Sequence, residues 1–249
     1  MGMVTSEMTV EEASEELKTL PRYDVTDFVR QVSTEKAYEW QSNMPAAATL
    51  PCLSLRGASA TKQSHIAVID YGLKYSILRI LSQLGCQATA IPCTASAKDV
   101  LALNPDGIVL SPGPGDPALL DDIAETVRNL IGKKPIMGIC LGHQLIGKAL
   151  GAQTFKLKFG HRGGNHPVRD LATGRVYVTA QNHGYALDVD TLKGGLEVSH
   201  INLNDGTVEG LHHRDLPIVS IQYHSEASPG PLDNMYLFER FLATVREMR

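Results

Sequence analysis

The hydrophobic pattern of the chain changes character at residue 65. Upstream, residues 1–40 are acidic and helix-prone. Thr9-Val10-Glu11-Glu12 has the form of a capping box, and Val10, Ala13 and Leu17 fall on one helical face. Glu11, Glu12, Glu15 and Glu16 then make the solvated face of that helix. Pro21 ends it, and residues 26–40 have room for another short helix. Residues 41–64 are rich in Ala, Ser, Thr, Gly and Pro, show little periodicity, and read as a linker.

From His65 onward, short β-branched runs alternate with helical spacing. Residues 66–69 predict a strand. Ile77, Leu78, Leu81 and Leu84 recur at helical intervals within 74–84, and Gly85 stops that helix. Further strands are predicted at 88–91, 107–110 and 136–139. Ser96 caps a helix reaching 103, and 121–130 is helical. This alternation predicts an open, mostly parallel α/β sheet, Rossmann- or flavodoxin-like, with helices on both faces. After Gly151 the rhythm becomes strand after strand, at 176–179, 196–201, 207–211 and 218–222. That predicts an antiparallel extension of the sheet. An amphipathic helix over 234–249 closes the chain. The expected organisation is a short helical N-terminal appendage with its linker over 1–64, then one α/β domain over 65–249.

Composition narrows the class of function. Hydrophobic residues are 43% and charged ones 20% of 249, an ordinary globular balance. The net charge of −4 and the lack of a basic block argue against nucleic acid as a partner. No apolar run is long enough to span a bilayer, so no membrane role is expected. Cys52, Cys86, Cys93 and Cys140 are irregularly spaced, with neither a metal pair nor a disulfide framework. We expect a reducing, cytoplasmic setting. No metal is expected either: there is no HExxH motif, and His161 and His166 are five apart, off the i, i+4 face.

Three segments lie where strands of such a sheet end, the place where open α/β sheets bind ligands. Gly138-Ile139-Cys140-Leu141-Gly142-His143-Gln144 sets one cysteine between glycines, after an apolar run and before a helix-like one. That is the form of a nucleophile elbow, a strained turn that presents a reactive side chain. The helix N-terminus that follows favours a thiolate and aims backbone N–H groups at an oxyanion. The second segment, 111–117, carries two glycines that expose backbone N–H groups, but it lacks the Gly-Lys-Ser/Thr of a P-loop. In the third, Gln222-Tyr223-His224-Ser225-Glu226, residues i and i+2 face the same way, so His224 and Glu226 share a face. Cys140, His224 and Glu226 together make a candidate nucleophile–base–orienter triad. His143, His161, His166 and His183 compete with His224 for the role of base.

These segments together resemble the class I (triad-type) glutamine amidotransferases, whose elbow reads Gly-x-Cys-x-Gly-x-Gln and whose late motif reads His-x-Glu. Within that family the resemblance is closer to the small, glutaminase subunits of carbamoyl-phosphate synthetases. It is carried by Asn104-Pro105-Asp106-Gly107, Gly113-Pro114-Gly115-Asp116-Pro117, the motif over 158–168, Ala180-Gln181-Asn182-His183-Gly184 and Glu226-Ala227-Ser228-Pro229-Gly230-Pro231. It covers about residues 65–249 and, more faintly, 9–40.

The resemblance implies a set of roles. Cys140 attacks the side-chain amide of glutamine, His224 moves the proton and Glu226 fixes His224. The backbone N–H groups of Gly113 and Leu141 hold the oxyanion. Gly115, Gln144, Asn182, Gly184 and Tyr185 hold the glutamine. Ammonia then passes to a large synthetase subunit that consumes bicarbonate and ATP with magnesium, making carbamoyl phosphate for pyrimidine and arginine biosynthesis. The chain itself needs no cofactor. The motif over 158–168 reads only as a Gly-rich, partly basic turn.

Three departures stand against the resemblance. Met1 falls inside what resembles the last portion of a β-rich leading domain, so residues 1–64 read as a remnant of it. Ser225 stands where proline is usual, which frees φ and is expected to loosen the His224–Glu226 geometry. Pro112 stands where asparagine is usual, which removes its own N–H donor but not that of Gly113. Two alternatives stand beside that reading: a non-catalytic binding or regulatory module that keeps the fold, or a member of the same superfamily serving another synthase or acting as a γ-glutamyl hydrolase.

Overall fold

The computed structural model describes residues 4–41 and 63–249. The linker reading of 41–64 therefore lies almost wholly outside the described residues. Ten strands form one sheet. Its centre is five parallel strands: β2 (His65–Asp70), β3 (Gln87–Pro92), β4 (Gly107–Leu110), β5 (Ile136–Ile139) and β10 (Ile218–Ile221). They lie in the order β3-β2-β4-β5-β10. Counted by appearance along the chain, that is the 2-1-3-4-5 order of flavodoxin-like sheets. Every residue of β4 and β5 is buried, as expected for strands covered on both faces.

The helices divide between the faces. α4 (Ala97–Ala102), α5 (Asp121–Leu130) and α6 (Leu141–Ala149) bury Val100, Ile123, Val127, Leu145 and Ile146 against one face. α3 (Tyr75–Gln83) and α7 (Tyr236–Glu247) bury Ile77, Leu78, Leu81, Phe238 and Phe241 against the other. The predicted bounds of these strands and helices agree with the structure to within a few residues. The exception is α6, which starts directly after Cys140, four residues before the apolar run at 145. Its polar first turn hid its true start.

The antiparallel extension is larger than the pattern predicts. It comprises β9 (Val208–His213), β8 (Leu196–Asn202), β6 (Thr154–Asp170) and β7 (Val176–Leu187), in that order outward from β10. The motif over 158–168 is thus a correction to the sequence reading: it is no turn but the middle of the 17-residue β6. Register shifts between Lys156/His161 and Gly163/His166 break the alternation that marks a strand. β7 runs eight residues beyond 179, through a polar stretch that carries no strand signal.

The N-terminal segment follows prediction in part. Thr9 caps α1 (Val10–Thr19), with the reciprocal Glu12 Oε2 accepting from Thr9 N at 2.8 Å. α1 buries no residue. The short helix expected within 26–40 is the four-residue α2 (Val29–Val32), preceded by a 3-10 turn at Tyr23–Val25 and followed by β1 (Tyr38–Glu39). β1 pairs antiparallel with β3 at the sheet edge. Val29 is fully buried in the core, and Thr34 N donates to Asp70 Oδ2 at 2.9 Å. Among the described residues no helix is long and apolar enough to cross a membrane.

The turn from β5 into α6 depends on close backbone approach. A Cβ added to Gly142 would lie 2.3 Å from Leu110 O, and one added to Gly138 would lie 2.7 Å from Gly142 O. Neither obstacle is a movable side chain. Gly142→Ala is therefore expected to lower the unfolding free energy by about 1–3 kcal/mol. Urea denaturation of the wild type and the variant measures this.

Candidate active site

Cys140 connects the end of β5 to the start of α6 with φ 52° and ψ −102°. A non-glycine residue rarely holds positive φ, at a cost on the order of 1–3 kcal/mol. The strain is enforced from several sides. Cys140 N donates to Ile221 O at 2.8 Å, and Gly142 N donates to Ser111 O at 3.2 Å. The thiol is thereby set over the first turn of α6, where free backbone N–H groups favour negative charge.

His224 follows β10, the strand next to β5. Its Nδ1 lies 2.7 Å from Glu226 Oε1. The loosening expected from Ser225 is absent at this bond. Ser225 is fully buried, so packing constrains the backbone that proline would otherwise restrict. The Glu226 side chain is hidden from solvent, and Lys74 Nζ sits 3.1 Å from the same Oε1. Lys74 also donates to Ala227 O. Burial pushes the Glu226 carboxyl up, but His224 and then Lys74 outweigh it and leave its pKa lowered. Burial pulls the His224 imidazole down, yet a charge on the Cys140 sulfur and the Glu226 carboxylate raise it to about 10. His224 Nε2, the nitrogen turned away from Glu226, is left to the Cys140 thiol, which also raises the imidazole.

A cleft of about 290 Å³ opens onto Cys140 and His224. Of the seven residues expected to hold glutamine or its oxyanion, Gly113, Gly115, Gln144, Asn182, Gly184 and Tyr185 line it. Leu141 does not: its side chain is buried in the core. The cleft also contains Tyr23, Lys74 and Arg162, which the sequence reading passed over. Tyr23 comes from the N-terminal segment, and its hydroxyl accepts from Gly115 N at 2.9 Å. Gln222 was missed too. Its Nε2 lies 3.7 Å from Cys140 Sγ. The alternation that paired His224 with Glu226 also puts Gln222 on that face. Lys74 and Tyr23 carry no such signal, because only folding brings them near the elbow.

Residues 67–244 match the family model described as glutamine amidotransferase class-I. The chain belongs to the class I glutamine amidotransferases. It is 49% identical over 239 residues to the carbamoyl phosphate synthase small chain of Akkermansia muciniphila, spanning 96% of this chain and 62% of that one. It is 44% identical to the chloroplastic carbamoyl phosphate synthase small chain of Arabidopsis thaliana, spanning 100% of this chain and 57% of that one. The chain thus covers about three fifths of the length of these curated relatives. Among solved structures it shares its fold with a putative GMP synthase protein from Thermoplasma acidophilum. The TM-score is 0.66 at 23% identity, covering 75% of this chain and 96% of that one. A glutamine amidotransferase from Thermotoga maritima matches with a TM-score of 0.54 at 16% identity, covering 75% and 86%.

In this amidotransferase the rival histidines are engaged elsewhere. His143 Nδ1 meets Ser220 Oγ at 2.9 Å, and His166 Nε2 meets Arg162 O at 3.1 Å. His161 and His183 face each other across β6 and β7. His161 Nε2 meets Asp205 Oδ2 at 2.8 Å, and its Nδ1 lies 3.4 Å from the fully buried Glu209. Glu209 and Asp205 hold the His161 imidazole above its ordinary range. Gln181 and Asn202 each donate to Glu209 at 2.8 Å. His161, His183 and Glu209 have ligand atoms within 4.8 Å of one another, the one such cluster among the described residues. All three are already hydrogen-bonded in this network, which serves as a buried ion-pair clamp between β6, β7 and β9. It also gives the 158–168 motif a structural role, since His161 is its central member.

Burial pushes His143 down to about 3 and His183 to about 4. Their unfolded values are about 6.5, so below that pH the unfolded chain binds more protons than the folded one. Their contribution to stability is complete above about pH 6.5 and is lost as pH falls toward 4 and 3. The unfolding free energy is expected to drop by a few kcal/mol, roughly, between pH 7 and pH 4. His143→Gln should flatten that acid limb. Denaturation curves across the pH range, for both proteins, check it.

Proposed function

We propose that the chain is the glutaminase of a carbamoyl-phosphate synthetase. It hydrolyses L-glutamine to glutamate and ammonia through a thioester on Cys140. The ammonia goes to a large synthetase subunit that uses bicarbonate, ATP and magnesium to make carbamoyl phosphate. The 2.7 Å His224–Glu226 bond beside a strained cysteine carries the chemical part of this reading. Relatives at 44–49% identity, all bearing the carbamoyl phosphate synthase small chain name, support the assignment of the partner. Free thiols at Cys86, Cys93 and Cys140 favour a reducing, cytoplasmic setting.

The chemistry runs in two halves. The Cys140 thiolate attacks the amide carbon of glutamine, and the carbonyl π pair moves to oxygen. The backbone N–H groups of Gly113 and Leu141 receive that oxyanion, a role typically worth about 3 kcal/mol per donor. The pair returns, the C–N bond breaks, and the imidazolium of His224 gives its proton to the leaving nitrogen, releasing ammonia. His224 then takes a proton from water as the hydroxyl attacks the thioester carbon. Collapse of the second intermediate breaks the C–S bond and restores Cys140 with glutamate as product. Glu226 stays ionised throughout and holds the imidazolium, as the orienting carboxylate of a triad does. Gly115, Gln144, Asn182, Gly184 and Tyr185 surround the bound amino acid. The chain's own steps need a nucleophile, a base and hydrogen-bond donors; ATP and magnesium belong to the partner's step.

Glutamate release from glutamine measures the activity directly. Cys140→Ser is expected to lower it by roughly three orders of magnitude or more. Unchanged turnover in that variant would sink the mechanism. Adding a purified large subunit should raise turnover and yield carbamoyl phosphate. Glutaminase activity without ammonia transfer would assign the chain to a different synthase.

A further inference from the structure

We infer that Gln222 is a further catalytic residue. Its carboxamide N–H donates to the Cys140 sulfur and favours the thiolate, and its carbonyl fixes the amide of Gln144 in the cleft. The inference rests on Cys140 being the nucleophile.

The argument begins with β10 and the extended chain that leaves it. Ser220, Gln222 and His224 alternate onto the side that faces α6. Ser220 Oγ meets His143 Nδ1 at 2.9 Å. Gln222 Nε2 lies 3.7 Å from Cys140 Sγ, and Gln222 Oε1 accepts from Gln144 Nε2 at 2.9 Å. His224 supplies the base. One edge of one strand thus addresses the nucleophile and two residues of the first turn of α6.

The orientation of the Gln222 amide follows from a group that cannot flip. Gln144 Nε2 donates to the backbone carbonyl of Tyr185 at 2.8 Å. A backbone carbonyl only accepts, so Gln144 must turn its nitrogen that way. The same nitrogen faces Gln222, which must therefore answer with its oxygen. That leaves the Gln222 nitrogen toward sulfur. The polarity of both amides is set by one main-chain oxygen, which His183 Nδ1 also contacts at 2.8 Å.

The chemistry of the pair points the same way. Gln222 is fully buried, where a donor without a good acceptor is costly. A neutral thiol is a poor acceptor. A thiolate is a charged one, and hydrogen bonds to ionised acceptors are roughly twice as strong as neutral ones. The Gln222 donor therefore interacts more strongly with the reactive form of Cys140 than with its resting form. Alternation places this residue on the His224 face, but glutamine has no titration or nucleophilicity of its own to mark it as part of the chemistry.

Alkylation of Cys140 by iodoacetamide, read by mass spectrometry of the Cys140 peptide, isolates the effect. It needs no glutamine, so it tests Gln222 even if the substrate assignment is wrong. A wild-type chain whose Cys140 is readily alkylated but which hydrolyses no glutamine would instead count against the assignment. Gln222→Met has a similar length and no donor. Alkylation near pH 7 is expected to slow by about tenfold, with the rate–pH profile displaced upward by about one unit. The KM for glutamine should rise as well, because Gln144 loses its acceptor. Gln222→Asn, which withdraws the amide by one methylene, should shift the profile in the same direction and stands in if the Met variant does not fold. A folded variant of either kind whose alkylation rate and profile match the wild type overturns the inference.

Discussion

The backbone of Cys140 is held where a non-glycine residue does not settle by itself, and much of the molecule exists to hold it there. The turn at φ 52° is closed by hydrogen bonds to Ile221 and Ser111, which belong to different strands or their ends. It also requires Gly142 to approach Leu110 more closely than any side chain would permit. These contacts form only when β4, β5 and β10 lie side by side in register. The strained Cys140 turn is thus a property of the assembled sheet, and it cannot survive local unfolding of any one strand. Strain at a site is sustained only when the surroundings over-determine it.

The antiparallel extension does for the far wall of the cleft what the parallel strands do for Cys140. β7 brings Asn182, Gly184 and Tyr185 to the cleft. It is fixed there by a buried network in which Glu209 accepts from Gln181 and Asn202 and pairs with His161. A fully buried carboxylate is unfavourable without such partners, and with them it specifies one arrangement of strands. His183 carries that rigidity onward to the Tyr185 carbonyl, and Gln144 takes it from there into the first turn of α6. The two halves of the site are therefore joined through hydrogen bonds whose donors and acceptors are fixed in kind as well as in place.

Most of the parallel core was legible because its signals are local. Buried strands such as β4 and β5 are continuous apolar runs, most of the helices carry apolar residues at 3.6-residue spacing, and Ser96 caps α4. The Cys140 elbow and the His224–Glu226 pair were legible for the same reason, since each lies within a few residues of sequence. β6 was not, because its bulges and glycines remove the alternation that identifies a strand. Spacing likewise argued against a His161–His166 metal pair, but it could not anticipate that His161 would meet His183 and Glu209 from other strands. Lys74 and Tyr23 were invisible because nothing in their neighbourhoods marks them, and only packing brings them to the cleft.

Local pattern was enough to set the succession of elements in the parallel core, the elbow, and His224 with Glu226 as one candidate base and carboxylate. These follow from periodicity and from residues that are neighbours along the chain. It took the closed sheet to show that Ser225 leaves the 2.7 Å His224–Glu226 bond intact, that Lys74 adds a cation to Glu226, and that Gln222 faces the sulfur. Each of those depends on which main-chain groups lie opposite once the strands have paired. Hydrogen-bond polarity across strands is not encoded in the spacing of any one of them.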